Sequence, residues 1–519
     1  MATTTTEFAR QRAQRLHRKT RPRAWHLAMA TAAIGAALPV QANEYRFTPT
    51  ISVTETLTDN VRLAPRGSEE GDLVTQVSPG FTVSANGPRI KALLTYSLQS
   101  TLYATSGTGA SLSNFLNGSA NATLIRDLLY VDASANIGQQ NISAFGAQSF
   151  SNANANGNSS EVRTYRISPY LVNRYGSFAS SLVRYTHEGV SANSSLLQTT
   201  GTDRLQANLN SGPRYLRVNW GVQGSTEKVH YTGQPDVSLS NASANVGYLI
   251  VPTVRLTAVG GYENNNYATT GDKPQGGYYT AGFIWTPSSR TNVTANAGHR
   301  YFGNTYFLAA SHRARKAVFN IVYSDDITTS QAQLLTSGVS STAQQLNLLY
   351  TPTIADPLAR QQFVNTIIQQ FGLSTTTGTP VTSFTNRYFL QKSLRGTVSY
   401  SSARSTIVGS LFDIRRTPVE QTTAVFGIDD ATKQIGATGS VNVQLSPRSN
   451  AVAGLSYSRN TSLTINDVST YKTARLALTS TIQPKLSVSL EARHSQQSSG
   501  SFTNDIRENA LTATALMKF

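Results

Sequence analysis

The chain closes on Asn509-Ala510-Leu511-Thr512-Ala513-Thr514-Ala515-Leu516-Met517-Lys518-Phe519. Leu511, Ala513, Ala515, Met517 and Phe519 share one parity, and Thr512, Thr514 and Lys518 share the other, which is the period of a two-faced strand. Ala510 and Leu516 break the alternation. A strand that is apolar on one side and small or polar on the other suits a barrel wall with lipid outside and water inside. An edge strand of a soluble sheet would read the same way, so the rest of the chain has to decide.

Working outward, the alternation recurs. From Arg204 to Val222, Leu205, Ala207 and Leu209 alternate with Arg204, Gln206, Asn208 and Asn210, and then Leu216, Val218, Trp220 and Val222 alternate with Tyr215, Arg217 and Asn219. Val441, Val443 and Leu445 interleave with Asn442 and Gln444, and Leu486, Val488 and Leu490 with Ser487, Ser489 and Glu491. Parity does not say which face points in, because a soluble sandwich uses the same pattern. Length does: crossing a bilayer takes ~9 to 11 residues, whereas soluble strands average about five or six.

The connectors alternate too. Asn86-Gly87-Pro88-Arg89, Ser211-Gly212-Pro213-Arg214, Val251-Pro252-Thr253, Thr286-Pro287-Ser288-Ser289, Ser446-Pro447-Arg448-Ser449 and Gln483-Pro484-Lys485 are tight turns in which Pro fixes φ. Pro65 to Asp72, Gly107 to Ser111, Gln148 to Ser160, Val190 to Gly201 and Ser495 to Thr503 are longer and looser. The pattern predicts an all-β, transmembrane antiparallel up-and-down β-barrel of about 22 strands over residues 43–519, from Tyr45–Leu63 rising to Asn504–Phe519 descending. A terminal Phe519 resembles the signal read by the β-barrel assembly machinery, which makes it the candidate assembly signal.

Composition agrees. The 519 residues are 14% charged and 39% hydrophobic, with Ser, Thr, Asn, Gln, Gly and 23 Tyr filling the difference. No segment after residue 42 has the ~18 to 20 apolar residues of a membrane-spanning helix, so any crossing is by strands. Residues 1–42 read as a secretory signal: Arg10, Arg12, Arg15, Arg18, Lys19, Arg21 and Arg23 precede an apolar run from Leu27 to Val40, and Val40-Gln41-Ala42 offers a cleavage site. The length of the basic region leaves a mitochondrial presequence open. Strand pattern starts directly after Ala42, which leaves no room for an amino-terminal plug or passenger. Without Cys there is no disulfide framework, thiolate metal site, cysteine nucleophile or lipoprotein anchor. Of the formal charge of +17, the leader's seven bases against Glu7 account for +6, so the mature chain carries +11. The bases come singly in strands and turns, which excludes a nucleic-acid-binding stripe and points to a basic lumen or to anionic lipid headgroups, including lipopolysaccharide.

Thr328 to Ser383 interrupts the rhythm. After Asp356-Pro357, Phe363, Val364, Ile367, Ile368 and Phe371 recur at helical spacing, and Gly372 can end the helix. The segment either caps the outer mouth or folds into the lumen as a constriction.

Trp285-Thr286-Pro287-Ser288-Ser289-Arg290, Gly298-His299-Arg300-Tyr301-Phe302-Gly303 and Ser311-His312-Arg313-Ala314-Arg315 resemble the outer-membrane β-barrel family associated with PEP-CTERM and exosortase systems. Val53 to Val61 resembles that family's first strand, and the likeness extends over the mature chain. The resemblance implies an outer-membrane protein of Gram-negative bacteria that sort PEP-CTERM proteins and produce extracellular polysaccharide. It carries over no catalytic residue. Physically, Trp285, His299, Arg300, Tyr301, Phe302, His312 and Arg313 suit an interface belt, with a ligand site as the alternative.

The function this predicts is a pore or conduit for polysaccharide or an exported protein. Parity puts Arg166, Arg184, Arg204, Arg217, Arg255, Arg395, Arg475 and Arg493 on inward faces, either drawing anionic solutes or braced by acids such as Glu491 and Asp413. A non-conducting anchor or assembly scaffold for polysaccharide or PEP-CTERM proteins is the alternative, resting on the long outer loops. An enzyme finds little footing. His187, His230, His299, His312 and His494 lie near different strands, outside any H-E-x-x-H or G-x-S-x-G context, and no motif calls for a cofactor or a metal. Asp325-Asp326 and Asp429-Asp430 read as solvated outer-end charge or calcium contacts.

Overall fold

The strand-forming residues pair in sequence order. The computed structural model describes residues 44–233, 235–267, 274–337, 360, 383–419, 427–500 and 505–519. The first strands are β1 (Glu44–Thr58), β2 (Asp72–Asn86), β3 (Ile90–Tyr103), β4 (Ser111–Ile125), β5 (Leu129–Asn141), β6 (Ser159–Tyr175) and β7 (Ala179–Ala192). Next come β8 (Thr200–Ser211), β9 (Val218–Tyr231), β10 (Val237–Val251), β11 (Val254–Asn265), β12 (Gln275–Ser288), β13 (Thr291–Arg300), β14 (Gly303–Arg313) and β15 (Ala317–Thr328). A short helix, α1 (Ser330–Ser337), precedes β16 (Phe389–Ser401), β17 (Ser405–Pro418), β18 (Thr432–Ser446), β19 (Ser449–Ser462), β20 (Val468–Gln483), β21 (Leu486–Ser499) and β22 (Ile506–Lys518).

Each strand pairs antiparallel with the next, and β1 pairs with β22 from Thr50↔Lys518 to Thr58↔Ala510, so the 22-stranded sheet is closed. Closure removes every free edge, which is the condition for a sheet to cross lipid. The strand number expected from the turn pattern is therefore met. Trp220 and Val222 lie on the expected β9, while Tyr215, Leu216 and Arg217 fall in the turn before it.

One end of the ring carries short turns such as Gly87–Arg89, Pro252–Thr253 and Pro484–Lys485, and the other carries the long connections. Positive φ at Asp127 (61°) and Gly176 (57°) tightens two of the short ones. Short turns mark the inner, periplasmic side of such barrels. The β13–β14 hairpin departs from this, since only Tyr301-Phe302 join the strands at the loop end, with Gly303 at φ 111°. A Cβ on Gly298 would lie 2.0 Å from the Tyr279 carbonyl oxygen, so this glycine permits close strand approach rather than a bulge.

Facing follows from where the loops go. The β5–β6 connection leaves the wall at Asn141 and meets strands far round the ring: Asn460 Nδ2 of β19 donates to Ala144 O (3.2 Å) and Gln497 Nε2 of β21 to Gly146 O (2.9 Å). Phe150 stacks on Tyr471 of β20 at 4.8 Å, and Asn154 Nδ2 donates to Glu508 Oε1 of β22 at 2.6 Å. From the other direction, Leu334 of α1, just after β15, packs with Val162 of β6, Val190 of β7, Leu197 and Phe384. Phe384 N donates to Ile142 O at 2.8 Å, tying the two crossings together. Segments rooted at β5, β15 and β17 can meet only inside the ring. The residues they touch therefore face inward, and the opposite parity, with Leu205, Val222, Leu256, Phe283, Leu411, Leu455, Leu476, Leu511 and Met517 exposed, faces out. That outer surface is a lipid-facing band. Ala510 and Leu516 fall inward beside Thr512 and Thr514, as the alternation of β22 requires.

Two expectations need correcting. The loose β5–β6 connector is a packed interior segment, with Ala144 and Ala153 0% and Phe145 2% exposed. Asp413 shares the outward parity of Leu411 and Ile435 and lies 4.0 Å from Lys433, so it braces no lumenal arginine. The signal at residues 1–42 and the helix-like run around Phe363 to Phe371 lie outside the described residues.

Candidate functional site: the lumen and its arginines

The inward arginines are mostly neutralised by acids placed opposite them in register. Across β6 to β9 runs a ladder in which Arg166 Nε meets Glu188 at 2.7 Å, Glu188 meets Arg204 Nη2 at 3.2 Å, and Arg204 Nε meets Glu227 at 2.7 Å. Lower on the same wall Arg184 lies 2.8 Å from Asp132 and 4.0 Å over the Tyr170 ring, which stacks on Tyr130 at 5.2 Å. Across the seam, Arg475 and Arg493 share Glu491 at 3.8 and 3.9 Å, and Arg493 also reaches Glu508 at 3.1 Å. Arg255 donates to Asn219 Oδ1 at 2.9 Å, whereas Arg217, expected to face in, lies in the turn before β9 with its guanidinium 5.4 Å from the ring of Tyr248, which shares the outward parity of Leu256.

Arg395 differs. It points inward from β16 beside Phe412, and among the described residues its side chain makes no hydrogen bond or ion pair. Gln391 on the same face pairs with Arg416 of β17, which is 2% exposed. Arg416 donates from Nε to Gln391 (3.2 Å) and from Nη2 to Gln333 of α1, lies 5.0 Å over Phe389, and leaves Nη1 buried without a partner. Two inward guanidinium groups thus share one stretch of wall with no carboxylate bonded to either. A buried cation with no carboxylate bonded to it is costly, so this stretch of wall favours an anion or anionic solute.

Asp429 closes the mouth above them. Its carboxylate accepts from Ser383 Oγ at 2.7 Å and from Ser143 and the Ala144 amide, joining the β5–β6, β15–β16 and β17–β18 connections. Asp430 beside it pairs with Arg387 at 3.0 Å. Burial raises the Asp429 pKa above the usual carboxylate range, against the opposing pull of those hydrogen bonds. A raised folded-state pKa stabilises the packed loops below the ordinary carboxylate pKa, and that contribution is lost as pH rises through the raised value. The Asp430 charge beside it pushes the value up as well, and Arg416 is the cation that faces it. Loop closure is therefore expected to be firmer in acid than at neutral pH, read as a lower open probability in bilayer recordings, and Asp429→Asn is expected to hold the closed state with little pH dependence.

The motif from Trp285 to Arg313 is split by the wall. Trp285, His299 and His312 face out, with Trp285 and His312 near the turn end and His299 near the loop end. Arg300 faces in, held by Glu263 (2.7 Å) and Asp326 (3.1 Å) and 4.7 Å from Phe302. Tyr301 hydrogen-bonds Tyr267, whose ring stacks on Tyr388, so Tyr301 belongs to the mouth. Arg313 lies at the turn end with parity opposite to His312. Phe519 carries on the outward parity of Met517 and is 57% exposed. Of the acid pairs, Asp325 is 5% exposed and Asp429 is held by the loops, whereas Asp326, with its side chain 68% exposed, is solvated outer-end charge as expected. Among the described residues no group of acids and histidines is placed to hold a metal ion.

Arg416 escaped sequence reasoning, and Asp429 reads in the sequence as outer-end charge rather than as a contact between loops. On β17 Val408, Phe412 and Ile414 face in while Ile407 and Leu411 face out, so both faces are apolar and parity carries no sign. The adjacent pair Arg415-Arg416 was the available signal, because neighbours on a strand must point to opposite faces.

No family model matches the chain, and no curated protein matches it. Among solved structures, a variant of the ferric enterobactin receptor PfeA from Pseudomonas aeruginosa is similar at TM-score 0.47 and 10% identity, over 91% of this chain and 80% of that one. The siderophore receptor PirA from Pseudomonas aeruginosa follows at TM-score 0.45 and 11% identity, over 92% and 81%. The FrpB iron transporter from Neisseria meningitidis is similar at TM-score 0.47 and 10% identity, over 91% and 82%.

Proposed function

We propose that this chain is an outer-membrane conduit for polar, preferentially anionic solutes, narrowed at its outer mouth by its own inward-folded loops. The observation that carries this reading is the contrast along the inner wall: carboxylates neutralise Arg166, Arg184, Arg204, Arg300, Arg475 and Arg493, whereas Arg395 and Arg416 have none bonded to them. Among the described residues Arg395 has no carboxylate beside it and Arg416 has Asp429 of the mouth loop near it but not bonded to it, and cations so weakly compensated in a confined, low-dielectric space concentrate anions. The finer proposal, that the solute is an exopolysaccharide or a PEP-CTERM protein on its way out, rests on the sequence resemblance of the Trp285 to Arg313 region. A uronic-acid-bearing glycan has the charge and the hydroxyls such a wall would bind. The packed mouth loops favour the alternative, a non-conducting surface anchor or scaffold.

The test is the reversal potential of the purified mature barrel in a planar bilayer under a salt gradient. Anion preference is expected in the unaltered protein and is expected to fall towards neutrality in Arg395→Gln and further in Arg395→Gln/Arg416→Gln. Steady conductance with cation preference, or no change in these variants, would overturn the anionic reading. No conductance even after the mouth loops are removed would leave the anchor.

A further inference from the structure

Near the loop end of β16 to β22, the outward face carries a row of cations. Lys392 of β16 stands directly opposite Arg415 of β17, and Arg415 directly opposite Lys433 of β18. Arg459, Lys472 and Arg507 continue the row on β19, β20 and β22, all on the outward parity. Like charges directly opposite one another on a sheet destabilise the pairing. Among the described residues the side chains of Lys392, Arg415, Arg459, Lys472 and Arg507 make no ion pair, and Lys433 has only Asp413 at 4.0 Å. Asp325, opposite Lys392, accepts from the Tyr306 amide at 3.3 Å through one oxygen and makes no ion pair with Lys392.

Position identifies the occupant. The cations sit just above the apolar outer band, where Leu394, Ile435, Tyr457 and Leu476 are exposed. Below Lys472 and Arg507 the same outer wall opens into a shallow groove lined by Leu57, Ala474, Leu476, Ala492 and Leu511, the two alanines leaving room between larger neighbours, while Asp59, His494 and Asn509, hydrogen-bonded to one another, line its upper end. Cations over an apolar groove match an amphiphile with phosphates at its head and acyl chains below. On the matching ends of β6 to β9 the outward cations are paired, Arg163 with Glu161 at 2.6 Å and Lys228 with Asp236 at 3.1 Å, and His187 and His230 lie 2.8 and 3.5 Å from Asp203, so among the described residues the unpaired row belongs to the β16–β22 arc.

We propose that this arc is a docking site for a phosphorylated glycolipid of the outer leaflet, of the lipid A type, with its phosphates bridging Lys392, Arg415 and Lys433 and an acyl chain against the β20–β22 groove. The proposal rests on the outer-membrane placement of the barrel and is independent of conduction. Phosphate between opposed guanidinium and ammonium groups turns repulsion into charge-assisted hydrogen bonds.

The test measures thermal unfolding of the full mature barrel in detergent, alone and with bisphosphorylated lipid A, dephosphorylated lipid A or inorganic phosphate. Bisphosphorylated lipid A is expected to stabilise the unaltered protein and the dephosphorylated form is not. In Lys392→Gln/Arg415→Gln/Lys433→Gln the apparent affinity is expected to be weaker on the order of tenfold, three exposed charge contacts being lost. That variant is expected to be at least as stable as the parent without lipid, because repulsion has been removed. Arg448→Gln/Lys485→Gln, at the turn end, removes charge elsewhere and is expected to bind as the parent does. Equal stabilisation by both lipid A forms, or an unchanged triple variant, would overturn the proposal. Equal stabilisation by inorganic phosphate at the same concentration would also overturn it, assigning the row to a free anion.

Discussion

Replacing residues 144–156 with a short glycine-serine linker is expected to raise the conductance of the barrel several-fold while leaving it folded and inserted. The expectation follows from what this segment touches. It crosses from β5 to reach Asn460, Tyr471, Gln497 and Glu508 on four successive strands, and Ala155 N also donates to Val61 O of the β1–β2 connection at 2.8 Å. None of these contacts belongs to the ladder that closes the ring, because β5 pairs with β4 and β6 through its own backbone. Replacing the segment gives up interior contacts but no hydrogen bond of the closed ladder, so the wall is kept. A 22-stranded wall left without inward loops encloses a wide passage. Heat-modifiable migration on gels checks the fold, and bilayer recording checks the passage. Unchanged conductance would mean the loop decorates the mouth without narrowing it.

Glu508→Ala is expected to be among the most destabilising single substitutions in this protein. Glu508 is 2% exposed and accepts from Arg493 Nη2 (3.1 Å), Thr58 Oγ1 (3.1 Å), Asn154 Nδ2 (2.6 Å) and Ser495 Oγ (3.2 Å). One carboxylate thus joins β21, β22, β1 and the β5–β6 segment at the seam where the ring closes. Removing it leaves Arg493, 8% exposed, as a buried charge whose remaining carboxylate partner among the described residues is Glu491 at 3.9 Å. Breaking a buried pair from one side costs about 3 to 5 kcal/mol. The readout is the temperature at which the heat-modifiable form is lost. Glu508→Gln keeps two hydrogen-bonding positions and is expected to lose less, and adding Arg493→Ala to Glu508→Ala is expected to recover part of the loss. An additive double variant would show that the two groups do not act as a pair.

Much of the wall was legible because its causes are local. A strand's side chains alternate by backbone geometry, so the parity of Leu205, Ala207 and Leu209, or of Leu511, Ala513 and Ala515, follows from the sequence alone. Pro and Gly at turns act within a few residues, which is why the tight connections and an even strand number could be read. Where both faces are apolar, as on β17, the same rule gave no sign, and Arg416 was passed over. Asp413 was placed on the wrong side for the same reason.

By itself the sequence determined a two-faced wall long enough to cross lipid and the end of the barrel that bears the turns. Only the tertiary structure decided which arginines are discharged, because that depends on which acid stands opposite in register: Glu188 lies between Arg166 and Arg204, while Arg395 meets Phe412. It alone also decided that the β5–β6 connection runs inward and that Lys392, Arg415 and Lys433 form one row. These juxtapositions join residues far apart in the chain, and they are fixed by closing a ring of backbone hydrogen bonds that no local pattern encodes.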